Sequence, residues 1–100
     1  MTKWIKYKDK NKIGSEKGLI IFDQIYDNSS RITIEKINKY SYAITCGIYG
    51  FTCHTTFAND KKSAFKICSQ IKKEIVDFLE TPNLTEENAL KWLKNFTNKW

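Results

Sequence analysis

The alternation of apolar and polar residues across the first half of the chain predicts β-strands. Residues 31–37 alternate isoleucine with polar residues, and residues 40–49 place apolar side chains at every second position. A period of two is typical of strands that bury one face. Two more strands are predicted over 19–26 and 51–57, and the Asp-Asn-Ser-Ser sequence at 27–30 is typical of a turn. The residues expected on the buried face of the last two strands are Tyr42, Ile44, Cys46, Ile48, Phe51, Cys53 and Phe57.

The second half of the chain changes to the helical period of about 3.6 residues. One helix is predicted over 59–80, ending before Pro82, and a second over 85–99 with Thr85 as its N-cap. The apolar stripes are Ala64, Ile67, Cys68, Ile71, Ile75, Phe78 and Leu79 in the first helix, and Ala89, Leu90, Leu93, Phe96 and Trp100 in the second.

The apolar faces also predict how the strands pair, because a shift of one residue turns every side chain of a strand to the opposite face. A hairpin centred between Tyr49 and Gly50 aligns the apolar faces of the last two strands. A two-residue turn at Asn38 and Lys39 would put the preceding isoleucines on the wrong face, so a three-residue loop or a β-bulge is expected around 38–40. The predicted pairs are Ile34 with Ile44, Ile32 with Cys46, Ile48 with Phe51, Cys46 with Cys53, and Thr45 with His54.

The order of these elements predicts one α+β domain over residues 1–100. A four-stranded antiparallel β-meander over 18–57 is followed by two amphipathic helices packed on one sheet face. Residues 1–17 form a basic N-terminal arm. The candidates for a fifth, short edge strand in that arm are Trp4, Ile5 and Tyr7.

The positive charge of the chain is concentrated in this arm. It holds six lysines against Asp9 and Glu16, a local charge of +4 out of the net +6, whereas the meander is neutral. Of the 17 basic residues only Arg31 is arginine, while dedicated nucleic-acid surfaces usually combine lysine with arginine forks. A solvated lysine-rich surface is therefore the favoured interpretation, and nucleic-acid binding through the arm is the alternative.

Few residues are suited to catalysis or metal binding. The thiols of Cys46, Cys53 and Cys68 are predicted to meet in the core as small apolar side chains, in preference to a disulfide or a soft-metal site. His54, the only histidine, is predicted to face away from Cys53; a four-ligand zinc site and a Cys–His nucleophile are therefore disfavoured. We expect no enzymatic activity, no cofactor and no metal.

The polar face of the predicted sheet is the candidate binding surface. Gly47 and Ala43 in a central strand leave room there for a ligand or another backbone to approach. Three interpretations stay open: a ligand or partner face, an ordinary solvated face, and a face covered by the arm that carries Trp4. The candidate binding residues are Arg31, Thr33, Glu35, Thr45, Gly47, Tyr49, Thr52, His54 and Thr56.

These features favour a small, basic, non-enzymatic protein that binds a protein or small-molecule partner through its exposed sheet face or a helix surface. The short length, the lack of catalytic groups and the many aromatic residues fit a small modulator, such as an inhibitor or immunity factor. The lysine-, isoleucine- and asparagine-rich composition is typical of AT-rich coding sequence and favours a bacterial or phage origin. The longest apolar run, from Leu19 to Phe22, has four residues, whereas a membrane-spanning helix needs about 18–20. With no export signal visible and three cysteines, a reducing, cytoplasmic location is expected. The rings considered for a homodimer surface are Phe65, Trp92 and Trp100.

Overall fold

A five-stranded antiparallel sheet followed by two helices forms the fold. The computed structural model describes residues 4–7 and 12–100. Its strands lie in the order of the chain, so the predicted α+β meander is confirmed and the arm supplies a fifth, edge strand. The elements are β1 (Trp4–Lys6), β2 (Leu19–Tyr26), β3 (Ser30–Asn38), β4 (Ser41–Ile48), β5 (Thr52–Ala58), α1 (Lys61–Leu79) and α2 (Glu86–Lys99).

Both helices begin at side-chain caps. The Asp60 carboxylate accepts a hydrogen bond from the backbone N–H of Ser63 at 2.7 Å, and this bond holds the pKa of Asp60 below its usual value. The Thr85 hydroxyl accepts from the N–H of Asn88 at 3.1 Å. Such caps satisfy N–H groups of the first turn that have no partner within the helix. No helix in the described part of the chain is long and apolar enough to cross a membrane.

The helices cover one side of the sheet, which we call the helix face. The core lies between this face and the helices. Isoleucines from β3, β4 and α1 are completely or almost completely buried there, and aromatic rings close its margins. Phe65 of α1, which lies off the apolar stripe, packs edge-on against Phe22 of β2 with ring centroids 5.4 Å apart. Trp92 of α2 stacks between Phe78 and Phe96 at 4.3 and 4.7 Å. The core isoleucines are Ile32, Ile34, Ile44, Ile71 and Ile75.

The predicted pairing of β3 with β4 is confirmed. Ile34 lies opposite Ile44 and Ile32 opposite Cys46, and the register shifts between Lys36 and Asn38. The irregularity is a β-bulge between Lys36 and Asn38, just before the predicted stretch 38–40, and it arises because the isoleucines of both strands must reach the same core.

The predicted pairing of β4 with β5 is wrong by one residue. Cys46 lies opposite His54, not Cys53, and Ile48 lies opposite Thr52, not Phe51. The connection is a three-residue loop in which Gly50 has a φ of +77° and the N–H of Phe51 donates to the carbonyl of Ile48. The extra residue releases Phe51 from the strand pairing, and its ring stacks on Phe78 of α1 at 5.3 Å.

Because of this shift, every side chain of β5 faces the side opposite to the predicted one. Cys53 and Phe57 are exposed on the side of the sheet opposite the helices, which we call the outer face, and Phe57 is 56% exposed. His54 and Thr56 lie opposite the core residues Cys46 and Ile44. They therefore belong to the helix face, and the prediction that they line the outer face is wrong.

A β-bulge in β2 explains the uninterrupted apolar start of that strand. Ile20 lies opposite Glu35 and Phe22 opposite Ile34, with the register shift between them. The bulge lets Ile20 face outward while Phe22 packs toward the helices. Ile20 is still buried, because the chain just before β2 folds over it and the N–H of Ile20 donates to the carbonyl of Lys12 at 2.7 Å.

Candidate binding cleft on the outer sheet face

The outer face contains a cleft of about 590 Å³. Its floor is formed by β3 and β4, one wall by residues 13–18, and the other by the β4–β5 hairpin; we call residues 13–18 the capping loop. The lining residues are Ile13, Gly14, Ser15, Ile20, Arg31, Thr33, Glu35, Thr45, Gly47, Ile48, Tyr49, Gly50, Phe51, Thr52 and Cys53.

The floor of the cleft is open at Gly47. In the cross-strand row that contains it, Arg31 and Cys53 are its neighbours. A Cβ atom added at Gly47 would lie 3.5 Å from the carbonyl oxygen of Thr52 and meet no other atom within 4 Å. The lack of a side chain at Gly47 therefore leaves open space in the floor of the cleft, and the backbone conformation does not itself require glycine at this position.

The guanidinium of Arg31 is fixed by a buried carboxylate. Its Nε donates to Oδ1 of Asp23 at 2.9 Å and its Nη2 to Oδ2 at 2.7 Å. The hydroxyl of Thr33 donates to the same Oδ1 at 3.2 Å, and the ring of Tyr7 lies 4.7 Å from the guanidinium carbon. This paired, stacked arrangement holds the arginine rigidly at the edge of the cleft.

Glu35 holds the capping loop in place. The carboxylate is buried, and its Oε1 accepts hydrogen bonds at 3.1 Å from the backbone N–H groups of both Glu16 and Gly18. Within the loop, the N–H of Gly14 donates to the carbonyl of Gly18, and the N–H of Lys17 donates to the carbonyl of Gly14. Backbone donors thus satisfy a buried charge, as burial requires.

Hydroxyl groups and a thiol form the rest of the accessible lining. The hydroxyls of Thr45 and Thr55 lie 3.0 Å apart on the outer face, and Tyr49 and Gly50 are exposed at the tip of the hairpin. Cys53 adds an exposed thiol beside Gly47. The apolar residues that also line the cleft, among them Ile13 and Phe51, make its accessible surface mostly apolar. The hydroxyl groups and the thiol add neutral hydrogen-bonding groups at its floor and rim.

Seven of the nine predicted binding residues line this cleft: Arg31, Thr33, Glu35, Thr45, Gly47, Tyr49 and Thr52. Thr52 lies opposite the core residue Ile48, so its side chain, like those of His54 and Thr56, belongs to the helix face and it borders the cleft only at the hairpin end; the predicted position beside Gly47 belongs to Cys53. His54 and Thr56 are absent from the lining. The ring of His54 instead packs edge-on against Phe96 of α2, with centroids 6.1 Å apart. Its Nε2 is buried without a hydrogen-bond partner in the described part of the chain.

The predicted cluster of three thiols in the core is wrong. Only Cys46 and Cys68 are buried, and burial raises the pKa of each thiol to about 12. Cys53 and His54 do point to opposite faces, as expected for neighbours on a strand, but each is on the side predicted for the other.

Sequence reasoning missed the wall formed by the N-terminal segment. One of the three open interpretations has the arm cover the outer face with Trp4, yet Trp4 packs against Tyr26 at 5.3 Å and against the core. Residues 13–18, rather than Trp4, lie against the outer face. The signals were the glycines at 14 and 18 and the apolar Ile13, which alternation alone left unassigned. Of the arm's six lysines, Lys3, Lys8 and Lys10 lie outside the described residues.

Comparison of the chain with models of protein families, with curated proteins and with solved structures finds no match in any of the three.

Proposed function

We propose that this chain is a small, non-enzymatic binding protein that holds a compact, uncharged molecule or side chain in the outer-face cleft. The observation that carries the proposal is the open floor at Gly47 between the capping loop and the β4–β5 hairpin. The volume of about 590 Å³ lies within the range of about 300–1,000 Å³ that is typical of small-molecule sites.

The chemistry of the lining favours an apolar, neutral occupant. The guanidinium of Arg31 is already engaged by Asp23, and Glu35 adds a second carboxylate bound by the capping loop. An anion entering the cleft would lie beside the Glu35 carboxylate and a guanidinium already paired with Asp23, which disfavours it electrostatically. An aromatic group with a hydroxyl or amide fits better, because apolar walls bind its body and the hydroxyls of Thr45 and Tyr49 are available for orientation.

Chemical-shift perturbation tests the proposal. The ¹⁵N-labelled protein is titrated with phenol, indole and benzamide as neutral aromatic probes, and with inorganic phosphate as a charged comparison. We expect the neutral probes to shift the amide signals of Thr45, Gly47 and Gly50, and phosphate to leave them unchanged.

The Gly47→Leu variant should abolish these shifts, because its side chain occupies the open floor. Tyr40→Leu is the matched control: it introduces the same residue at an exposed site on the β3–β4 turn, at the opposite end of β4 from the cleft hairpin. The proposal is wrong if none of the neutral probes shifts the cleft amides, or if Gly47→Leu binds the probes as well as the Tyr40→Leu control.

A further inference from the structure

The outer edge of β5 has none of the features that usually prevent edge strands from pairing with another chain. Natural edge strands are protected by short length, charged residues, proline or bulges. β5 has seven residues without lysine, proline or any acidic residue, and its pairing with β4 runs without a register shift. The opposite edge strand, β1, has three residues and includes Lys6. Among residues 4–7 and 12–100, the only strand paired with β5 is β4.

The charge distribution favours a second copy of the same chain at this edge. The protein carries a net charge of +6, yet residues 40–58 contain no aspartate, glutamate, lysine or arginine. Two copies that approach through β5 therefore bring two uncharged strands together, without charge repulsion along the strands themselves.

The side-chain pattern of β5 is self-complementary about Thr55. In an antiparallel pair of two β5 strands with the two-fold axis at Thr55, Cys53 of each copy lies opposite Phe57 of the other. Both residues are exposed on the outer face, and Phe57 is 56% exposed. Residues directly opposite in an antiparallel pair have Cβ atoms about 4.5–5.5 Å apart. The exposed ring of each copy would thus be covered by the edge of the other.

We infer that the protein forms a two-fold symmetric homodimer by antiparallel pairing of β5 with β5, which extends each five-stranded sheet into a ten-stranded one. The rings of Phe65 and Trp92 are engaged inside the monomer, so they are not the surface that joins the copies. Because Cys53 also lines the cleft, the second copy's Phe57 would border the cleft opening. The pairing itself needs no ligand and does not depend on the proposed binding function.

Mass measurement and one charge substitution test the dimer. We expect light scattering after size exclusion to give twice the chain mass of 11.8 kDa at micromolar concentration or above. Phe57→Lys should give the monomer mass, because it places a charge in the uncharged edge. Ile5→Lys, which adds the same charge at an exposed apolar residue of β1, the opposite edge strand, should remain dimeric.

Cross-linking gives an independent measurement that does not rely on Phe57→Lys folding well. Thr55→Cys in a Cys53→Ser background places two thiols at the two-fold axis, within the Cα separation of 4.4–6.8 Å that disulfides span. Oxidation should then yield a disulfide-linked dimer on a non-reducing gel, and Tyr40→Cys in the same background should not. A monomer mass for the unmodified protein at every concentration, or cross-linking no greater at position 55 than at position 40, would overturn the inference.

Discussion

The carboxylate of Glu35 occupies the space above the Cα atom of Gly14. A Cβ atom added at position 14 would lie 2.3 Å from Cδ of Glu35 and 2.5 Å from its Oε1. Glu35 is 1% exposed, and its carboxylate is bound by the N–H groups of Glu16 and Gly18. The carboxylate cannot move aside without breaking those bonds, so the glycine and the glutamate together fix one wall of the cleft.

Gly14→Ala should therefore destabilise the fold, by about 1–3 kcal/mol. Urea unfolding measures the free energy. Gly47→Ala is the matched control, because its new methyl group makes only one ordinary contact, 3.5 Å from the carbonyl oxygen of Thr52. Its stability should change by less than about 0.5 kcal/mol. Equal unfolding free energies for the two variants would contradict the close packing of Glu35 on Gly14.

Glu35→Ala should release the capping loop while leaving the sheet folded. It removes the acceptor of two backbone N–H groups and is expected to cost about 1–3 kcal/mol. The specific readout is hydrogen exchange: the amides of Glu16 and Gly18 should lose protection, while that of Ile44 in the core should keep it. Glu35→Gln retains an acceptor oxygen and should protect the two loop amides to an intermediate degree. Unchanged protection in Glu35→Ala would show that the loop is held by other contacts.

The sequence was sufficient to predict the pairing of β3 with β4 but not that of β4 with β5. Over residues 31–35 of β3, isoleucine occupies one face and only polar residues the other, so a single register buries the apolar sides of both β3 and β4. In β5 the more apolar face, which carries Cys53 and Phe57, is the exposed one, so alternation predicts the wrong register. The register is decided instead by contacts that are remote in sequence: the stacking of Phe51 on Phe78 and the packing of Phe96 on His54.

The cleft was predictable in part for the same reason. The floor residues lie on β3 and β4, whose register could be predicted from the alternation of apolar and polar residues. The sequence therefore identified Arg31, Thr33, Thr45 and Gly47 as part of the cleft. The capping loop has no periodicity, and its position depends on the buried charge of Glu35. No local sequence pattern indicated that the Glu35 carboxylate would bind the backbone of the capping loop and hold residues 13–18 against the outer face.

Thiol labelling tests which way β5 faces. Cys53 is exposed, whereas Cys46 and Cys68 are buried and the pKa of each is about 12. At mildly alkaline pH the buried thiols are almost entirely protonated and shielded, and only thiolates react. In the Phe57→Lys variant, in which no second copy covers β5, we expect Ellman's reagent to modify one thiol per chain rapidly and all three after unfolding. Cys53→Ser should remove the rapid reaction, whereas rapid labelling of a second thiol in the folded protein would contradict the assignment.

The two buried thiols should also make the fold less stable in alkali. The pKa of each is raised by burial from an ordinary value of 9.0 to about 12. Below about pH 9 both states carry protonated thiols, and between about 9 and 12 the unfolded chain loses protons that the folded chain keeps. The stability contribution of each thiol is therefore lost as pH rises, by about 1 kcal/mol per pH unit.

The comparison that isolates this effect is between the unmodified protein and Cys68→Ala, by urea unfolding at several pH values between about 8 and 10.5. Lysine and tyrosine ionisation affects both proteins alike. The difference between their slopes of unfolding free energy against pH therefore reports the ionisation of the Cys68 thiol alone. The slope of Cys68→Ala should be shallower, and identical slopes would argue against the raised pKa of Cys68.

His54→Phe should preserve or increase stability. The imidazole packs against Phe96 and its buried Nε2 has no hydrogen-bond partner in the described part of the chain. Phenylalanine keeps the ring contact and removes the unsatisfied nitrogen, a gain of up to about 1 kcal/mol. Both substitutions are compared in the Phe57→Lys background, where no second copy covers β5; there Cys53→Phe, one residue earlier, places the same ring on the exposed outer face and should give no such gain. If urea unfolding showed Cys53→Phe to be the more stabilising of the two, β5 would face the other way, with its thiol toward the helices.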